Sequence, residues 1–158
     1  MGTEIERKFL VTHTTWKQAA HGVRYRQGYL VADGERTVRV RVAGERAYVT
    51  LKGRTTGISR AEFEYDIPLP DAAQILDALC PKPLIEKTRY RVPHQGLTWE
   101  VDEFAGENEG LIVAEVELSD EAQTLELPDW VGAEVTHDRR YTNASLSRYP
   151  YRLWKPQT

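Results

Sequence analysis

A single cysteine, Cys80, leaves this 158-residue chain unable to form an internal disulfide, which fits a reducing compartment and makes the cytoplasm the default expectation. Long hydrophobic runs are also missing: nothing approaches the roughly 18 apolar residues of a membrane-spanning helix. Met1-Gly2-Thr3 passes at once into a strand-like pattern, which leaves no room for a signal peptide. Positive charge is not in excess either, and a net charge of -3 argues against stable nucleic-acid binding by bulk electrostatics. There is no Walker-type glycine loop, and no glycine pair opens a helix in the manner of a dinucleotide site. His13, His21, His94 and His137 lack metal-ligand spacing, and no motif supports a Ser-His-Asp triad. Internal repeats and low-complexity linkers are absent, so one domain is expected over residues 1–158.

What the chain has in abundance is alternation. Ionisable residues fall at every second position in Thr3–Leu10, Val38–Val42, Thr50–Lys52, Glu62–Ile67, Lys87–Val92, Glu100–Asp102 and Glu115–Leu118, with largely apolar residues between them. A strand turns successive side chains to opposite faces, so each segment carries one charged and one apolar edge. Strands are therefore expected over residues 3–11, 23–32, 37–42, 47–51, 60–67, 85–92, 97–104 and 111–118, with turn signals such as Asp33-Gly34 and Gln95-Gly96 between them. A short helix is expected at 14–20, capped by Thr14, and a second from Pro70 to Leu79, ended by Pro81-Lys82-Pro83. Beyond Ser119 the pattern reads as irregular and helical, with a last helix near 141–148. About eight hairpin-connected strands with few helices make an α+β, mainly antiparallel β fold whose sheet closes, or nearly closes, on itself.

The charged edges sort by strand into acidic and basic sets. The acids are Glu4, Glu6, Glu62, Glu64, Glu100, Asp102, Glu115 and Glu117, and the bases are Lys8, Arg39, Arg41, Lys52, Lys87, Arg89 and Arg91. Acidic pairs at i and i+2 that met in a cavity would repel unless a cation sat between them. Hard oxygen ligands of this kind suit magnesium or manganese, which commonly bind through carboxylates together with substrate phosphates. Arginine forks and lysine point charges suit phosphate oxygens. Together these are the parts of a phosphoryl-transfer site with no covalent nucleophile. Two other readings stay open on the residues alone. One is an ordinary barrel with solvated outer charges. The other is a web of internal salt bridges, although such a web stabilises poorly.

The segment Glu4-Ile5-Glu6-Arg7-Lys8-Phe9-Leu10 resembles the E-x-E-x-K signature of the CYTH, or triphosphate tunnel metalloenzyme, superfamily. The resemblance continues in order through Tyr25–Leu30, Arg39-Val40-Arg41, Lys52-Gly53, Arg60–Glu64, Lys87–Tyr90, Trp99–Asp102, Gly110–Glu117 and Tyr141-Thr142-Asn143. It implies a closed eight-stranded tunnel with a charged interior, and hydrolysis of a triphosphate with Mg²⁺ or Mn²⁺. By the same resemblance Glu4, Glu6, Glu115 and Glu117 would carry metal, with Glu62, Glu64 and Asp102 assisting directly or through water. Lys8, Arg39, Arg41, Lys52, Lys87 and Arg89 would hold the phosphate chain. A metal-activated water would attack a terminal phosphorus, with Glu6 and Lys8 at the catalytic centre and Lys87 and Tyr29 assisting. The short chain and its EIERKFL and YRQGYL motifs are similar to those of compact bacterial members that act on inorganic tripolyphosphate. Thiamine triphosphate, nucleoside triphosphates, RNA 5′-triphosphate ends and class IV adenylate cyclase chemistry are the alternatives within the superfamily. A polyphosphate-binding module without turnover is an alternative of a different class. A homodimer is expected, because an apolar outer barrel face needs cover.

Overall fold

The alternating segments fold as strands, and the strands close on themselves. In the computed structural model, which describes residues 2–156, nine strands follow in chain order. They are β1 (Gly2–Val11), β2 (Gly22–Ala32), β3 (Thr37–Ala43), β4 (Arg46–Lys52), β5 (Ser59–Asp66), β6 (Ile85–His94), β7 (Leu97–Phe104), β8 (Ile112–Glu117) and β9 (Val131–Glu134). The strand order is β5-β4-β3-β2-β6-β7-β8-β1-β9, and β5 also pairs with β1. Eight strands thus form a closed antiparallel barrel, which removes the exposed edges that an open sheet would present. The ends of the expected 1–158 domain, Met1, Gln157 and Thr158, lie outside the described residues. No helix among the described residues is long and apolar enough to cross a membrane.

The first strand serves two neighbours on one edge. Residues Gly2–Ile5 pair with β5 and close the ring, whereas Phe9 and Val11 pair with β9. This β9 corrects the expectation of helical or irregular chain beyond Ser119. Its four residues, Val-Gly-Ala-Glu, are too few to show alternation, and the free edge of β1 makes it a strand. The expected helix at 14–20 is a single 3-10 turn, Thr15–Ala19, and Thr14 makes no side-chain cap. There the indole N–H of Trp16 donates to the His13 carbonyl at 2.8 Å and fixes the turn instead. Helix α1 spans Leu69–Ala78, with Pro70 in its first turn, where a missing N–H costs nothing. The last expected helix is divided by the extended Thr142, which ends a 3-10 turn (Arg139–Tyr141) and caps α2 (Asn143–Arg148) by accepting from the Ser145 N–H.

Three apolar clusters hold the barrel. Phe9, Trp99, Val101, Ala114 and Val116 form the outer face of β1, β7 and β8, covered by Trp16 and Trp130. Trp99 and Trp130 meet edge to face at 5.8 Å, a favourable aromatic geometry. Ala72 and Leu76 of α1 pack on Val40 and Ala47 of β3 and β4. The third cluster lies at one end of the barrel's interior. Ile85, Phe104 and Val113 share the inner face with Lys87, Asp102 and Glu115 by strand parity, and with Tyr141 and Leu146 they stopper that end.

Gly28 shows how closely these layers approach. A Cβ placed there would stand 2.7 Å from the Cys80 Cβ and 2.9 Å from Leu84 Cδ2. We expect Gly28→Ala to destabilise the fold by about 1–3 kcal/mol through overpacking. Urea unfolding of the two proteins checks this, and an unchanged midpoint would mean that the contact between β2 and the Cys80–Leu84 segment after α1 yields freely.

Candidate functional site

Parity turns the charged edge of seven of the eight barrel strands inward, into a cavity of about 420 Å³; β2 instead faces Arg24 and Arg26 outward. Glu4, Glu6, Lys8, Tyr29, Arg39, Arg41, Lys52, Glu62, Glu64, Lys87, Arg89, Glu115 and Glu117 all line it. Asp102 is the exception among the predicted residues: it is buried behind Lys87 and Arg89 and does not reach the cavity. The ring order sorts these charges in a way that chain order does not. Four consecutive strands, β5-β1-β8-β7, carry the acids Glu62, Glu64, Glu4, Glu6, Glu115, Glu117, Glu100 and Asp102. On the other side β6, β3 and β4 carry Lys87, Arg89, Arg91, Arg39, Arg41 and Lys52, and β2, between β6 and β3, turns the uncharged Tyr25, Gln27 and Tyr29 inward. The lumen therefore has an acidic arc facing a basic arc, with Lys8 of β1 and Arg60 of β5 as bases set within the acidic one.

Opposite charges meet where the arcs adjoin. At the β6–β7 seam Lys87 Nζ donates to Asp102 Oδ2 at 2.7 Å, and Arg89 donates to both Asp102 oxygens at 2.7 and 2.8 Å. Arg89 and Arg91 each reach Glu100 at 3.2 Å. At the β4–β5 seam Lys52 lies 3.0 Å from Glu4 and 3.4 Å from Glu62. There the Thr50 hydroxyl donates to Glu64 at 2.7 Å, and Arg39 reaches the same oxygen at 3.4 Å. Burial opposes ionisation of Asp102, but Arg89 and Lys87 outweigh it and hold the carboxyl below its ordinary range. Burial, only partly offset by Asp102, pulls the Lys87 ammonium below its ordinary value, towards neutrality. Removing one member of such a buried set typically costs about 3–5 kcal/mol, because the survivor is left uncompensated.

The middle of each arc is different. Arg41, on β3, takes part in no ion pair among the described residues; its hydrogen-bond acceptor is the neutral Gln27 Oε1 at 2.7 Å. In the acidic arc, burial, then Glu115 and then Glu4 push the Glu6 carboxyl well above its ordinary range. Burial opposes ionisation of Glu115 too, but Lys8 and Arg89 outweigh it and hold that carboxyl well below its ordinary range. Glu62 and Glu117 are also raised, first by burial and next by Glu4. The carboxylates around Glu4 are thus short of positive charge, the condition that a divalent cation relieves.

Among the described residues no group of three His, Cys, Asp or Glu side chains could hold a metal ion by itself. The donor chemistry nonetheless fits one. Magnesium commonly takes one or two carboxylates and completes its shell with water and substrate phosphate rather than with an all-protein cage. Glu6 and Glu115, with Glu4 and Glu117 beside them, form such a set.

Sequence reasoning gave no role to Gln27, Thr50 or Asn143, because neutral residues leave no mark in a charge-alternation reading. Parity was the signal available for Gln27, which lies between the inward-facing Tyr25 and Tyr29 on β2. Lys87 and Tyr29 share no direct hydrogen bond. They are linked through Asn143 Oδ1, which accepts from Lys87 at 2.9 Å and from Gln27 at 3.2 Å, while Gln27 donates to the Tyr29 hydroxyl at 3.1 Å.

With this geometry in hand, comparison with known proteins is informative. Residues 2–149 match the CYTH domain model. The chain is 54% identical to the inorganic triphosphatase of Acetivibrio thermocellus over 155 residues, covering 98% of this chain and 99% of that one. It is 40% identical to the inorganic triphosphatase of Nitrosomonas europaea, covering 92% and 97% of the two chains. The crystal structure of the inorganic triphosphatase NE1496 superposes with a TM-score of 0.68 at 36% identity, over 99% of each chain.

Protons and cations should compete for the acidic arc. The ordinary value for a glutamate is 4.5, and Glu6 is held above it, so the folded protein binds more protons than the unfolded chain once pH exceeds that value. Its contribution to stability is present below that value and is lost as pH rises through the raised one. A divalent cation that replaces the proton should therefore raise the melting temperature more at about pH 8 than at about pH 5. Thermal melts with and without Mg²⁺ or Mn²⁺ check this. Equal shifts at both values would argue against binding through these carboxylates.

Proposed function

Because this chain belongs to the CYTH domain family, we propose that it is an inorganic triphosphatase, a hydrolase that converts tripolyphosphate to pyrophosphate and phosphate. The observation that carries the reading is the division of the lumen into facing acidic and basic arcs. A condensed phosphate is a dense anion that needs cations on one side and tolerates carboxylates on the other only through a metal. The inorganic triphosphatases of Acetivibrio thermocellus and Nitrosomonas europaea match it over nearly their whole lengths, which supports the inorganic substrate.

In this reading Arg39, Arg41, Lys52, Arg89 and Lys8 hold the phosphate chain. Glu4, Glu6, Glu115 and Glu117 would hold Mg²⁺ or Mn²⁺, with Glu62 and Glu64 at the edge of that set. When bound, a divalent ion offsets the carboxylate and phosphate charge and makes a coordinated water more acidic. Asp102 acts behind the wall, orienting Lys87 and Arg89 toward the lumen. The lowered proton affinity of Lys87 suits it to exchange the proton of an attacking water, with Tyr29 at the other end of the Gln27–Asn143 link. A cytoplasmic setting, expected from the lone Cys80, completes the proposal.

A homodimer belongs to it as well. Leu51 and Phe63 stand opposite each other on the outer face of β4 and β5, with Tyr65 beside them, and all three are exposed.

Two measurements test these proposals. Phosphate release from tripolyphosphate should exceed that from ATP, GTP and thiamine triphosphate and should stop on chelation. Glu6→Gln should lower kcat by about a hundredfold or more without lowering the melting temperature, since it removes a strained carboxylate. Tight tripolyphosphate binding with no release over hours would leave a binding module instead, and cyclic AMP formed from ATP would make the protein a cyclase. For assembly, light scattering should give twice the chain mass, and Phe63→Asp should halve it. A monomeric parent protein would refute the dimer.

A further inference from the structure

The bases of the lumen differ in what balances them. Arg39, Lys52, Lys87, Arg89 and Arg91 each take part in an ion pair with an acidic side chain. Arg41 does not; its Nε donates to Gln27 Oε1 at 2.7 Å, and Arg39 and Arg89 are the nearby charges that oppose its own. Gln27 itself is fully buried, and both its polar atoms are engaged: Oε1 by Arg41, and Nε2 by the Tyr29 hydroxyl at 3.1 Å and Asn143 Oδ1 at 3.2 Å. The orientation of both amides follows from chemistry. Arg41 and Lys87 can only donate, so Gln27 must turn its oxygen to Arg41 and Asn143 must turn its oxygen to Lys87. The amide of Gln27 is then left pointing at the Asn143 oxygen, as observed.

From this network we infer that Gln27 is a positioning residue that acts through Arg41. It anchors the guanidinium with a neutral acceptor, so that the positive charge stays uncompensated and available to the anion in the lumen. A glutamate in the same place would hold the guanidinium equally well and cancel its charge. Neutrality of the anchor is therefore the specific feature, and it rests on the proposed binding of a condensed phosphate by Arg41. The interaction is made with bound substrate and transition state alike, so its loss falls on KM rather than on kcat.

Steady-state phosphate release and calorimetric binding of inorganic tripolyphosphate, at saturating Mg²⁺, test this. Gln27→Glu should raise KM and weaken binding by about tenfold or more, a larger factor than its effect on kcat. Gln27→Met keeps the volume without acceptor or charge, and remains informative if the acidic variant fails to fold; it should raise KM by a smaller factor. Because the effect runs through Arg41, Gln27→Glu should have no further effect in an Arg41→Gln background. Additive losses in the double variant, or a fall in kcat and melting temperature at constant KM, would overturn the assignment and leave Gln27 a packing residue. Failure of the underlying reading is distinguishable, since wild-type protein would then neither bind nor cleave tripolyphosphate.

Discussion

Strand order, rather than chain order, decides which charges meet in this lumen. Acidic and basic strands alternate irregularly along the chain, yet the closed ring gathers four acidic strands on one side and the three basic strands, with the neutral β2 among them, on the other. Where unlike strands adjoin, the charges neutralise one another, as Asp102 does with Lys87 and Arg89 and as Glu4 and Glu62 do with Lys52. These junction pairs are poor stabilisers in themselves, because desolvation consumes most of what the pairing returns. Their effect is geometric: they lock side chains that would otherwise sample many rotamers. In the middle of each arc the unlike charge is too sparse to balance the set, so Arg41 and the carboxylates around Glu6 keep a deficit even with Lys8 among them. A ligand with both phosphate and metal character removes both deficits at once. That is electrostatic preorganisation, in which fixed charges await the anion and need not reorganise around it.

Such walls must not relax, and each arc has its own apolar backing. Behind the acidic strands β1, β7 and β8 lie Phe9, Trp99 and Val116, pressed between Trp16 and Trp130. Behind the basic strands β3 and β4 lies α1, through Ala72 and Leu76. The alternation that sends a charge inward sends its neighbour into one of these layers. Glu100 and Asp102 flank the fully buried Val101, and Arg39 and Arg41 flank Val40. Like charges are held together by hydrophobic burial on the opposite face of the same strand.

That coupling explains what was legible in the sequence. A period of two is a local property, so the eight barrel strands and every lumen charge except Arg60 could be read from i and i+2 spacing, whereas the direction of the charged face could not. Which strand sits beside which is not local. The division into arcs depends on β1 reaching β5 across the ring and on β2 pairing with β6, and neither shows in composition or spacing. Short elements were lost for a related reason: β9 is a strand because β1 offers it an edge, and the Thr15–Ala19 turn is set by Trp16 rather than by a cap. Gln27 and Asn143 escaped notice because a neutral amide becomes informative only once its partners are known.

The closure of the ring carries one more consequence. The β1–β5 joint is made by four residue pairs, Gly2 to Ile5, whereas β1 shares five pairs with β8 and β3 shares seven with β4. Among the described residues it has the fewest pairs of any joint in the ring, and local opening is favoured where the fewest bonds must break. Lys52 spans it like a latch, gripping Glu4 on one strand and Glu62 on the other. Under the proposed function, an anion that engaged Lys52 would compete with this grip, and a cation shared by the two carboxylates would take its place. Occupancy of the lumen and the integrity of its wall are thereby tied together at a single seam.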